Sequence, residues 1–179
     1  MNNSMEKQSN IVIVGMMGSG KSTIGRLLAA QLGRTFVDSD QAIEQKTGVT
    51  IATIFEVEGE IGFRQREQLI ISELLALPQI ILATGGGAVI HPNTRQLIKS
   101  HAFGIYLKAD PHELWRRIQH SRHRPLLDTP KPLETLKTIL HEREPYYEES
   151  AHLIIPTKRQ SVRKLVHHIM ERLIQSTLF

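Results

Sequence analysis

The chain has 179 residues, of which 40% are apolar and 22% charged, with nine histidines and no cysteine. That is enough chain for one domain with a substantial core, and no apolar run is long enough to cross a bilayer. The formal charge of +4 and a pI near 9.5 raise nucleic acid as a partner. Lys and Arg are scattered, however, and no aromatic-rich basic stripe is present, so an enzyme handling small anionic substrates is the better reading. Without cysteine there is neither disulfide nor thiolate chemistry. The polar stretch Met1–Gln8 lacks a signal-peptide core, so a cytoplasmic protein with flexible residues 1–9 is expected.

The first element is Ile11-Val12-Ile13-Val14, four β-branched residues that read as a buried parallel strand. It runs into Gly15-Met16-Met17-Gly18-Ser19-Gly20-Lys21-Ser22, which fits the phosphate-binding pattern G-x-x-x-x-G-K-[ST]. Ile24, Leu27, Leu28 and Leu32 then give Thr23–Leu32 helical spacing, stopped by Gly33. Gly15, Gly18 and Gly20 permit positive φ and close approach to a ligand. The loop N–H groups and the helix N-terminus suit a polyphosphate, Lys21 its β- and γ-phosphates, and the Ser22 hydroxyl Mg²⁺. A glycine-rich turn that binds nothing is the plain alternative, and the strand-and-helix setting argues against it.

A second strand, Thr35-Phe36-Val37, leads to Asp38-Ser39-Asp40. An extended segment would point both carboxylates the same way, one to hold Mg²⁺ through water and the other to accept a proton from a hydroxyl. An Asp-rich turn is the alternative. Helical segments Gln41–Lys46 and Ile51–Glu56 end at Gly48 and Gly59. A longer helix should run from Glu60 to about Leu77, with Phe63, Leu69, Ile70, Leu74 and Leu77 facing in and Pro78 ending it. Arg64 and Arg66 on that helix, and Arg143 further on, read by themselves as solvated surface charges.

Ile80–Ala83 is a third strand and empties into Thr84-Gly85-Gly86-Gly87, whose N–H groups are expected to be open to an anion or a substrate oxygen. Several P-loop proteins place an Mg²⁺-binding Asp where Thr84 stands, which leaves Asp38 as the acidic partner. A helix from Pro92 to about Ser100, a strand Gly104–Leu107 and a helix capped by Asp110, carrying Leu114, Trp115 and Ile118, follow. Periodicity fails over 121–132, read as a mobile loop, where Arg124 followed by Pro-Leu-Leu suits a lid over phosphate. A helix Leu133–Glu142, a strand His152–Ile155 and a helix Ser161–Gln175, with Val162, Leu165, Val166, Ile169 and Leu173 inward, complete the chain. The histidines show no ligand spacing, so no zinc site is expected. Alternating strands and helices argue for an α/β parallel sheet covered on both faces.

Several segments, in this order and spacing, resemble the shikimate kinase family: Gly15–Thr23, Phe36-Val37-Asp38-Ser39-Asp40, Phe63-Arg64 with Glu67, Gly85-Gly86-Gly87, Arg124-Pro125-Leu126-Leu127, and Arg143 with Pro145-Tyr146-Tyr147. The resemblance covers almost everything after the first ten residues. It implies an ATP- and Mg²⁺-dependent kinase acting on the 3-hydroxyl of shikimate, in a three-layer α/β/α P-loop kinase fold with strand order 2-3-1-4-5. It also implies one domain over 1–179, with a substrate-binding insertion at about 40–70 and a lid at about 121–132. By resemblance, Gly18, Ser19, Gly20, Lys21, Ser22 and Thr23 bind the phosphates, and Arg117, Arg159 and Gln160 lie towards the nucleotide. Asp40 orients the acceptor hydroxyl, Arg64 and Arg143 hold its carboxylate, and Gly85, Gly86 and Gly87 contact its ring. Ser22 and Asp38 serve Mg²⁺, while Lys21 and Arg124 neutralise the transferring phosphoryl group. A monomer without nucleic-acid or membrane partners is expected. A kinase for gluconate or a nucleoside monophosphate, or a basic nucleotide-binding module, remains the competing reading.

Overall fold

Five short strands decide where the remaining elements go. In this computed structural model, which describes residues 9–120, 125–157 and 160–176, they are β1 (Asn10–Val14), β2 (Thr35–Asp38), β3 (Ile80–Ala83), β4 (Ala102–Lys108) and β5 (Leu153–Pro156). All neighbours are parallel, in the order β2-β3-β1-β4-β5, as the resemblance implied. Strand β1 sits in the middle, with β3 on one side and β4 on the other. Its carboxyl end is therefore the switch point where open parallel sheets bind ligands.

Period-2 alternation assigns β1 to both layers. Ile11 and Ile13 pack with Leu28 of α1 (Lys21–Leu32) and Ile169 of α7 (Val162–Gln175). Val12 and Val14 face the other way, with Ile71 of α3 (Ile51–Leu75), Ile98 of α4 (Pro92–His101) and Leu136 and Tyr147 of α6 (Pro132–Ser150). Helices on both faces explain why β1 and β3 read as unbroken apolar runs. A smaller cluster of Ile43, Ile54, Phe63 and Ile70 binds α2 (Ser39–Thr47) to α3, and these two helices carry Asp40 and Arg64.

Several helix details differ from expectation. The two segments expected on either side of Gly59 are joined in α3, and Gly59, at φ 69° and ψ −177°, breaks the helical backbone between them. Leu69 and Leu77, expected inside, are 57% and 47% exposed. Leu69 falls on the helix side opposite Phe63, Glu67 and Ile70, and Leu77 lies beyond the last helical residue. Val162 is exposed because it opens α7 ahead of the buried stripe Leu165, Val166, Ile169 and Leu173. Helix α6 continues past Glu142 and through Pro145, where burial of Leu140, Arg143 and Tyr147 along one face outweighs the lost backbone bond. The second half of the expected mobile loop is folded. Pro125–Leu127 forms a 3₁₀ turn, Leu127 is buried, and Thr129 Oγ1 hydrogen-bonds Thr135 Oγ1 at 2.9 Å. Its first part, 121–124, lies outside the described residues, as do 1–8 of the segment expected to be flexible. The carbonyl of Ser9 accepts a hydrogen bond from Arg34. The remaining helix, α5 (Pro111–Ile118), starts as expected with Asp110 accepting from the N–H groups of His112 and Glu113. No helix among the described residues is long and apolar enough to cross a membrane.

One buried side chain joins three elements. Asn10 Nδ2 donates to the carbonyls of Leu75 (3.0 Å) and Leu77 (2.7 Å), and its Oδ1 accepts from Ile80 N–H (3.0 Å). It thereby ties the end of α3 and the start of β3 to β1. Asn10→Ala should lower stability by about 2–4 kcal/mol, since it strands three backbone groups in a dry interior. Urea unfolding measures this, and a change below about 0.5 kcal/mol would show that water replaces the bonds.

Candidate active site

The loop between β1 and α1 takes a conformation that requires glycine. Gly15, Gly18 and Gly20 have φ of 147°, 81° and 94°, and a Cβ on Gly15 would stand 2.9 Å from the Leu107 carbonyl oxygen. Lys21 is buried, and its Nζ folds back over the loop to donate to the carbonyls of Gly15 (2.8 Å) and Met16 (2.9 Å). Its charge is thus held beside the concavity lined by the loop. Ser19 is buried, and its Oγ has no hydrogen-bond partner among the described residues. Thr23 is exposed on the first turn of α1. Arg117 of α5 donates from Nη1 to the Gly18 carbonyl at 3.2 Å, so it does reach the loop. Gln160 is exposed just before the cap of α7, while Arg124 and Arg159 lie outside the described residues.

Ser22 Oγ donates to Asp38 Oδ2 at 2.7 Å, and Asp38 Oδ1 accepts from Asp40 N–H at 3.1 Å. One carboxylate therefore joins α1 to the end of β2 and caps α2. Thr84 does not compete for this place, because its N–H and Oγ1 both turn back to the Ile13 carbonyl. The pair Asp38 and Asp40 is not on one extended segment as expected. Asp38 has extended geometry (φ −112°, ψ 123°) and caps the helix, so Asp40 already belongs to its first turn. Among the described residues no three His, Cys, Asp or Glu side chains converge on one point. Ser22 and Asp38 nevertheless fit Mg²⁺, which binds through one or two protein oxygens while water and substrate phosphates complete its shell.

The glycine triplet serves the protein's own groups before any ligand. Gly85 N–H is not open as expected: it donates to the fully buried Ser39 Oγ at 2.9 Å. A Cβ on Gly85 would stand 2.5 Å from Glu67 Oε1 and 2.7 Å from Asp40 Oδ1, and one on Gly87 would collide with the Arg64 guanidinium. The Gly86 carbonyl accepts the hydroxyl of buried Tyr147. These glycines let acids and bases from α2 and α3 come up against the end of β3.

The charged groups alternate around the site. Arg64 Nη1 donates to Glu67 Oε2 at 2.6 Å and Nη2 to Glu60 Oε1 at 3.1 Å. Arg143 is only 7% exposed and interacts with both Tyr147 and Glu67, which brings two arginines far apart in sequence to one pocket. Neither is the solvated charge that its local sequence suggests, whereas Arg66, paired with Glu58 at the surface, is one. Burial and the neighbouring Asp38 raise the pKa of Asp40 above the usual carboxylate range, against the pull of Lys21 and Arg64. Burial pushes Glu67 up to about 7, opposed by Arg64 and Arg143. Ser39 carried no signal of its own in the sequence. Glu67 and Tyr147 stood only inside motifs, although their i+3 and i+4 spacing from Arg64 and Arg143 could have marked them.

A family model for shikimate kinase matches residues 17–174. The chain is 51% identical to a shikimate kinase of Nitrosococcus oceani, over 93% of this chain and 87% of that one. It is 49% identical to one of Thiobacillus denitrificans, over 88% and 86%. Among solved structures it is similar to a shikimate kinase of Acinetobacter baumannii in complex with shikimate, with a TM-score of 0.91, 41% identity and 96% of each chain covered. A gluconokinase of Sinorhizobium meliloti, at TM-score 0.59 and 18% identity, shares the fold.

Tyr147→Phe keeps the ring stacked on Tyr106 but removes the bond to Gly86. Stability should fall by about 1–3 kcal/mol, because the Gly86 carbonyl loses its donor. An unchanged unfolding midpoint would remove Tyr147 from the supports of this loop.

Proposed function

The chain belongs to the shikimate kinase family, and on that premise we propose how its residues transfer the γ-phosphoryl group of ATP to the 3-hydroxyl of shikimate. The products are shikimate 3-phosphate and ADP. The observation that carries this reading is the Asp40 carboxyl: its buried Oδ1 has no partner among the described residues, and Lys21 and Arg64 both act on it electrostatically. An acid placed there can accept the proton of a hydroxyl as that oxygen bonds to the γ-phosphorus and the bond from phosphorus to ADP breaks. Its raised pKa makes it a better base than an exposed Asp would be.

The other roles are carried over from the family resemblance, and the charge of the pocket supports them. Arg64 and Arg143 hold the shikimate carboxylate, where planar guanidinium groups give directional, charge-assisted bonds. Gly85, Gly86 and Gly87 form the wall beside the ring, with Gly86 nearest it. Lys21, together with the N–H groups over Gly18–Thr23, stabilises charge on the phosphates, and Arg117 steadies the nucleotide. Ser22 and Asp38 hold Mg²⁺, which supplies positive charge to the β- and γ-phosphates when bound. Arg124 on the transferring phosphoryl group, and Arg159 with Gln160 at the adenine end, rest on sequence resemblance. Within one domain, 1–179, we read about 40–70 as the acceptor side and about 121–132 as the lid. A cysteine-free chain that uses ATP suits the cytoplasm.

Gluconate or a nucleoside monophosphate as acceptor would use the same loop. One buried and one half-buried arginine beside buried acids favour a hydroxy acid over a nucleotide base. The deciding assay is ADP release with ATP and Mg²⁺, comparing shikimate, gluconate, AMP and no acceptor. Turnover should depend on shikimate, and turnover with another acceptor alone would discard the pocket assignment. Asp40→Asn should bind ATP nearly as the parent does while kcat falls about 10²-fold or more. Full turnover in that variant would refute a proton-accepting role.

A further inference from the structure

Phosphoryl transfer as described leaves one buried acid in the pocket without a task. Glu67 is 2% exposed, and its Oε2 takes the hydrogen bond from Arg64. Its Oε1 is buried with no partner among the described residues, as is Asp40 Oδ1. Both oxygens lie within 2.7 Å of where a Gly85 Cβ would stand, so the two acceptors border the same small space beside that glycine. Two unpartnered acceptors bordering one dry space are costly while both carboxyls are ionised. Among the described residues, Arg64 from α3, Asp40 from α2 and Arg143 from α6 act on Glu67 directly. Glu60 of α3 acts on Arg64, Asp38 of β2, Lys21 of α1 and Glu44 of α2 act on Asp40, and Glu67 acts in turn on the Tyr147 hydroxyl of α6.

The two cations that favour an ionised Glu67 are Arg64 and Arg143. On the reading above they are also the two that receive the substrate carboxylate. A second carboxylate on these arginines divides their hydrogen bonds, adds negative charge and removes water from the pocket, and all three effects disfavour a charged Glu67. We propose that Glu67 takes up a proton from solvent as the substrate carboxylate engages Arg64 and Arg143, and that the neutral carboxyl relieves the crowding of two unpartnered acceptor oxygens beside Gly85. Glu67 is thus a positioning residue whose protonation is coupled to acceptor binding. This rests on the shikimate reading.

The sign of the linkage is fixed. If the Glu67 pKa is higher in the complex than in the unliganded enzyme, affinity for shikimate is complete below the unliganded value and is lost as pH rises through the bound one. A starting value of about 7 puts that window at neutral to mildly alkaline pH.

Titration calorimetry of shikimate into the nucleotide-free enzyme, at mildly alkaline pH in HEPES and in Tris, reads the proton directly, because these buffers differ in ionisation enthalpy. The two heats should differ by an uptake of roughly half a proton per shikimate. In Glu67→Gln, binding should persist while both the buffer difference and the weakening with rising pH disappear. Equal heats in the two buffers, or an undiminished uptake in Glu67→Gln, overturn the proposal and leave the kinase reading standing. No heat of binding at all in the parent enzyme overturns the kinase reading itself. Should Glu67→Gln fail to fold, infrared difference spectra of the parent enzyme on shikimate addition test the same point, since a new protonated-carboxyl band must appear.

Discussion

The hydrogen bond from Ser22 to Asp38 is the joint between the two halves of this site. On one side lies the phosphate loop, held by glycines in left-handed conformations and by Lys21 folded over their carbonyls. On the other, Asp38 caps α2 and so fixes where Asp40 and Ser39 stand. Ser39 in turn takes the Gly85 N–H, which joins β2 to the end of β3. A single carboxylate at the sheet edge thereby ties the phosphate loop to the acid in the first turn of α2. Positioning of this kind matters most in a reaction whose catalysis is largely orientation and charge stabilisation.

The second constraint is space. Acids and bases can crowd together here only because the turn after β3 has no side chains at Gly85 and Gly87. Their absence admits Asp40, Glu67 and Arg64 to contact distance. The backbone is then held from behind by Tyr147, on the same helix as Arg143. The pocket is therefore built where α2, α3 and α6 converge on the turn after β3. Its charges are close to balanced among Asp38, Asp40 and Glu67 on one hand and Lys21, Arg64 and Arg143 on the other. Such a balance makes each protonation state sensitive to what binds.

Local sequence is informative wherever chemistry and backbone are decided by neighbours in the chain. The glycines of the phosphate loop, the β-branched run ahead of it and the Asp110 cap all act over a few residues, and each leaves a pattern legible in the residues alone. Strand order came instead from family resemblance, because alternation of strands and helices does not specify which strands pair. The inner face of α3 departs from its apolar pattern at Leu69 and Leu77. Apolar residues at near-helical spacing identify a helix, but only the packed partner selects its buried side. The same limit applies to α6, expected to end at Glu142, where burial of Tyr147 carries the helix through Pro145.

By itself, then, the sequence determined the class of fold, the phosphate-binding loop with its lysine and serine, and the carboxylates expected near it. Only the tertiary structure decided that Arg143 is buried beside Glu67 and Tyr147, that Gly85 N–H is already occupied, and that Glu67 and Asp40 both border Gly85. Those facts depend on distances between residues remote in the chain. A lone arginine or glutamate on a helix has the same local signature whether it faces solvent or a buried partner. Burial, which removes water's screening, turns such a residue from a surface charge into part of a site.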